Sequence, residues 1–86
     1  MTQSQPVAIR LPELGDRRAV LSLWYVRPGD RVFEGDRVAE VLIPGATFDV
    51  PAPATGTLAD RFALPNDPVS PGQVLGTIEE EEPARG

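Results

Sequence analysis

The chain has 86 residues, a net charge of −5, eight arginines, no lysine, no histidine and no cysteine. That length allows one small domain, which must be held by an apolar core because neither a disulfide framework nor a histidine–cysteine zinc site is available. Lacking His, Cys and Lys, the sequence lacks the usual catalytic bases and activated nucleophiles, so no enzymatic activity, catalytic residue or metal site is expected.

Charge is unevenly distributed. Residues 1–45 balance six arginines against six acids, while residues 46–86 set two arginines against seven acids and carry the whole deficit. No basic patch with interleaved aromatics is present, which argues against nucleic acid as a partner. No apolar run approaches the ~18 residues of a membrane span. These features predict a soluble cytoplasmic protein with no membrane association.

Met1–Pro6 reads as a polar leader, followed by an alternating strand at Val7–Leu11. Pro12–Asp16 breaks that strand, and Arg17 and Arg18 follow in the loop. Ala19–Val26, rich in β-branched and aromatic residues, predicts a strand buried on much of both faces. Trp24, within it, is expected to pack against the core. Arg27–Asp30 is a turn, Arg31–Phe33 a short strand, Glu34–Asp36 another turn, and Arg37–Ile43 the next strand. Pro44–Gly45 then forms a two-residue turn into Ala46–Val50.

Pro51–Gly56 is excluded from a sheet interior by its two prolines. Thr57–Ala63 is a strand, Pro65–Asp67 a turn, Val69 a strand stub, Ser70–Gly72 a turn, and Gln73–Ile78 the closing strand. Residues 80–86 read as an acidic flexible tail after a domain spanning 7–79.

A shift of 37 residues places Leu21 on Leu58, Pro28 on Pro65, Asp30 on Asp67, Val32 on Val69, Gly35 on Gly72 and Val41 on Ile78. Each half is too small to bury its own apolar face, so the two should pack together with quasi-two-fold symmetry. The fold class expected is all-β: a flattened barrel or sandwich of about eight short strands in two quasi-symmetric halves.

Several segments, in order, resemble the lipoyl/biotinyl carrier domains of 2-oxoacid dehydrogenase acyltransferases and biotin-dependent carboxylases, closest to the lipoyl type. They are Leu11-Pro12-Glu13-Leu14-Gly15, Trp24 through Asp30, Glu40-Val41, Val50-Pro51-Ala52-Pro53 with Gly56, and Gly72-Gln73-Val74-Leu75. The resemblance covers about residues 7–79 and implies the single-hybrid-motif fold.

In such domains the central hairpin carries Asp-Lys-Ala or Met-Lys-Met, and its lysine bears lipoate or biotin. Counting sixteen residues on from Gly29, or eleven back from Gly56, lands on Gly45, so the corresponding triplet here is Pro44-Gly45-Ala46. The resemblance therefore implies no cofactor: with no lysine, attachment of lipoate or biotin is expected to be impossible. The acid that family members commonly place three residues before the acceptor is Leu42 here, and the loop holding Arg17 and Arg18, which lies beside the acceptor in the family, is about two residues shorter.

The expected function is a non-modified lipoyl-like interaction module that docks a component of a multienzyme complex or a carboxylase. Its candidate surface is Arg17, Arg18, Leu42, Pro44 and Gly45, and its protein partner is unidentified. The alternatives are a genuine carrier with an unrecognised acceptor, and a relative of the lipoyl regions of membrane-fusion adaptor proteins.

Overall fold

The computed structural model describes residues 5–15 and 18–81. Most of the leader, Arg17, and residues 82–86 of the acidic tail lie outside them. Among the described residues eight strands form two four-stranded sheets: β1 (Gln5–Arg10), β2 (Ala19–Trp24), β3 (Arg31–Val32), β4 (Arg37–Ile43), β5 (Ala46–Pro51), β6 (Gly56–Arg61), β7 (Pro68–Val69) and β8 (Val74–Glu80). Strand order is β1-β8-β6-β3 in one sheet and β5-β4-β2-β7 in the other, and every pairing is antiparallel. The all-β, two-half expectation holds.

The halves interleave, because each sheet takes two strands from each half. Exchanging β1 with β5, β2 with β6, β3 with β7 and β4 with β8 turns one sheet order into the other. Even the irregularities repeat. β2 shifts register against β4 between Leu21 and Leu23, and β6 shifts against β8 between Leu58 and Asp60.

The repeated turn residues explain how the halves lock. Asp30 Oδ2 accepts from Arg27 N at 2.9 Å, and Asp67 Oδ2 accepts from Leu64 N at 2.8 Å. Each turn then bonds across to the other half: Gly29 N donates to Leu58 O at 2.8 Å, and Asn66 N donates to Leu21 O at 2.8 Å. Gly29 and Asn66 occupy equivalent places with φ of 97° and 77°. Asparagine is among the few residues besides glycine that adopt this left-handed conformation readily.

The core lies between the sheets and is wholly apolar among the described residues, with Ile9, Leu11, Leu21, Leu58, Leu75 and Ile78 its largest buried side chains. Trp24 is partly buried against it, and its Nε1 donates to Ala63 O at 2.9 Å, in keeping with a packing role. Two glycines mark close backbone approach. A Cβ on Gly56 would fall 2.1 Å from Glu79 O, and one on Gly76 would fall 2.4 Å from Asp60 O.

Three local expectations are corrected. β2 ends at Trp24 instead of Val26, and it alternates buried and partly exposed residues instead of being buried on both faces. The bulge at Ser22 explains part of this, since it turns Leu23 outward after the buried Leu21. Pro51 belongs to β5 and pairs with Arg37. Pro6 similarly lies within β1. Both are on edge strands, where a missing ladder donor is tolerated.

Candidate interaction surface at the hairpin tip

β4 and β5 are joined by a two-residue loop, Pro44–Gly45, closed by the Ile43–Ala46 pair. The proline ring holds φ near −65°, and Gly45 has φ of 77°. Those values match a type II turn. Two-residue hairpins more often use the primed types, whose twist follows the strands; here proline excludes the positive φ that those types need at the first position. The tip is open: nothing lies within 4 Å of a Cβ built on Gly45, and Pro44, Gly45, Ala46 and Thr47 are all exposed.

Leu42 is 43% exposed beside the tip and pairs with Val20 of β2 on one side and Thr47 of β5 on the other. Val20 pairs in turn with Pro68 of β7. Arg18, exposed, immediately precedes β2 and so lies at the same end of the sheet. An open groove of about 380 Å³ runs between Arg18–Val20 and Pro68–Pro71. The structure thus brings Arg18, Leu42, Pro44, Gly45 and Ala46 to one end of the molecule, while Arg17 lies outside the described residues. Val20 and Pro68, which share this end, were not singled out from sequence. Only the pairing of β2 with β4 and β7 brings them there, and nothing in the local sequence signals that pairing.

Farther along the same sheet, Tyr25 Oη donates to Asp49 Oδ1 at 3.1 Å, the Arg37 guanidinium lies 5.0 Å from the Tyr25 ring centroid, and Arg37 pairs with Asp49 at 3.6 Å. The Tyr25 phenol is held above its ordinary range by partial desolvation first, then by the hydrogen bond to Asp49 and the negative charges of Asp49 and Glu40, with Arg37 opposing. Among the described residues no group of three or more His, Cys, Asp or Glu side chains could hold a metal ion. No polar or charged side chain is buried among them either. No helix of the described residues is long and apolar enough to cross a membrane.

Comparison with known proteins bears directly on this site. Residues 7–78 match the biotin/lipoyl family, described as "Biotin-requiring enzyme". The lipoamide acyltransferase component of the branched-chain alpha-keto acid dehydrogenase complex of Pseudomonas putida is 32% identical over 75 residues, covering 85% of this chain and 18% of the relative. The same component from Bacillus subtilis is 32% identical over 73 residues, covering 83% of this chain and 17% of the relative. The chain therefore spans less than a fifth of these relatives' length. The solution structure of the lipoyl domain of the 2-oxoglutarate dehydrogenase complex from Azotobacter vinelandii superposes with a TM-score of 0.62 at 22% identity, covering 91% of this chain and 96% of that one.

These names overturn the expectation of a protein without a cofactor. The matched family is described by its requirement for biotin, and the relatives are named for lipoamide. The sequence supports a narrower statement: none of its 86 residues is a lysine, so a lysine-linked group has no acceptor within them. At the tip itself the residues do not fit such a group, since Gly45 offers no side chain and Pro44 and Ala46 offer no nucleophile.

Proposed function

The chain belongs to the biotin/lipoyl family, and on that premise we propose that it is a lipoyl-type interaction domain, residues 7–79, serving a cytoplasmic multienzyme assembly of the 2-oxoacid dehydrogenase or carboxylase kind. It docks a protein component through the hairpin end, using Arg17, Arg18, Leu42, Pro44 and Gly45, and presents no side chain of its own for group transfer. The observation that carries this reading is the tip. A two-residue hairpin joins β4 and β5 in the eight-strand scaffold of the described residues, while the position that the resemblance to lipoyl domains assigns to the acceptor holds Gly45.

An apolar, exposed Leu42 beside a cation and an open turn supplies a recognition surface without supplying chemistry. The test is a titration of the chain with purified dehydrogenase, acyltransferase and carboxylase components, read by amide line broadening. Selective loss of the Arg18, Leu42, Ile43, Gly45 and Ala46 signals with one component supports docking at this end. Absence of binding to every component refutes it.

The relatives' names favour a second reading, in which the chain takes part directly in acyl-group carriage. Intact mass after expression beside a lipoate ligase separates the two, because a mass gain would place the group on this chain.

A further inference from the structure

The molecule contains its own control for which of its surfaces is specialised. The two sheets share strand order and register, so each outward-facing position on one has a counterpart on the other. On the outer face of the β5-β4-β2-β7 sheet, Val20 lies opposite Leu42 and Pro68, and Leu23 lies opposite Glu40. Their counterparts on the β1-β8-β6-β3 sheet are Thr57 opposite Glu79 and Arg31, and Asp60 opposite Thr77. Four apolar positions on one sheet are thus a threonine, two acids and an arginine on the other. The backbone does not require apolar residues there, because the same backbone carries polar ones a half-molecule away. Leu42 and Leu23 nevertheless remain 43% and 38% exposed. Contiguous exposed apolar side chains rimmed by charge mark interaction surfaces.

The rim identifies the occupant. Arg18 marks the hairpin end of the apolar row, and the acids lie on its other side, where outward-facing Glu40 is directly across from Asp49. Like charges opposite each other in a sheet are unfavourable, and Arg37, which pairs with Asp49 at 3.6 Å, supplies one positive charge for the two acids. A cation arriving beside Glu40 would complete the balance. Four apolar side chains also fall far short of the ~800 Å² per partner of a standard stable interface. The face therefore suits one or two anchoring side chains of a transient partner better than a second copy of this chain.

The geometry points to a docking face at Val20, Leu23, Leu42 and Pro68 for an extended partner segment whose apolar side chains lie on that row and whose lysine or arginine meets Glu40. Glu40 and Leu42 are two residues apart on β4, so the basic and apolar side chains of the segment are spaced by about 7 Å. This inference depends on the function proposed above only in requiring a protein partner, and it concerns the sheet face instead of the hairpin tip.

The test uses three synthetic extended peptides: one alternating leucines and a lysine with serines, one with the lysine replaced by glutamate, and one with the leucines replaced by serines. Each is titrated into the labelled full chain and followed by amide chemical shifts. The leucine–lysine peptide is expected to shift Val20, Leu23, Glu40 and Leu42, and to bind at least ten-fold more tightly than either control. The Val20→Thr, Leu42→Glu double variant installs the residues of the opposite sheet at their own backbone positions and should abolish these shifts while leaving the spectrum folded. The Glu40→Gln variant should remove the preference for lysine over glutamate. Equal binding of all three peptides, shifts confined to Gly45 and Ala46, or no shifts overturn the inference. The tip-docking reading stands or falls separately, on the titration with complex components.

Discussion

Replacing Gly45 with alanine isolates the backbone of the hairpin tip from every contact it makes. Gly45 has φ of 77°, and nothing lies within 4 Å of a Cβ built there, so the added methyl meets no neighbour. What remains is the conformational cost of holding an L-residue in the left-handed region, about 1–2 kcal/mol. Against it stands the smaller unfolded-state entropy of alanine, about 0.4–1 kcal/mol in favour of the variant. The net expectation is a loss of about 1 kcal/mol, or roughly 4–8 °C in Tm for a domain of this size.

Gly45→Lys should cost about the same as Gly45→Ala, because the long side chain points into open solvent. Urea unfolding followed by the fluorescence of Trp24, the single tryptophan, measures both variants, with an unchanged m-value showing that the unfolded states are comparable. An alanine variant as stable as the parent, or more stable, would show that Gly45 is not held at positive φ and that the type II assignment is wrong. A lysine variant much less stable than the alanine variant would show that the tip is crowded.

Gly56→Ala should cost about 3 kcal/mol, the upper end of the overpacking range, because the new Cβ falls 2.1 Å from a backbone oxygen of β8; thermal unfolding checks this, and a loss below that of Gly45→Ala would contradict the tight β6–β8 approach. Asp67→Ala should cost about 1 kcal/mol by removing the bond from Leu64 N, and Asp30→Ala about the same by removing the bond from Arg27 N; widely different losses in urea would argue against equivalent turns.

Tyr25, the only tyrosine, should ionise above the ordinary 10.0 in an ultraviolet titration, and Asp49→Asn should lower that value by removing the charge and the ionic acceptor. Because the folded state favours the neutral phenol, the contribution of this contact to stability is present below pH 10.0 and is lost as the pH rises through the raised folded value.

Much of the fold was legible because its turns are specified by local chemistry. The Pro-x-Asp signals at Pro28–Asp30 and Pro65–Asp67 mark turns whose aspartates accept backbone bonds three residues away. Turn chemistry likewise placed the Pro44–Gly45 hairpin, a proline and a glycine set between two strand-like runs. The one-sided burial of β2 was not legible, since a bulge at Ser22 resets the alternation by which strand faces are read. Nor were Pro6 and Pro51 as strand residues, because only the assembled sheet shows that their strands are edges. The interleaving of the halves likewise depends on long-range pairing, which a repeat implies without specifying. At the candidate surface, Leu42, Pro44 and Gly45 were placed by the resemblance to lipoyl domains, whose spacings were counted from Gly29 and Gly56, whereas Val20 and Pro68 join them through cross-strand register.

The claim that the hairpin end is a docking surface is tested most directly by titrating the labelled chain with purified components of a 2-oxoacid dehydrogenase complex and of a biotin-dependent carboxylase. The account predicts saturable binding to one component, with signal loss concentrated at Arg18, Leu42, Ile43, Gly45 and Ala46 and weakened by Arg18→Glu. Absence of binding to all components, or binding mapped to the β1–β8 end and insensitive to Arg18→Glu, would contradict it.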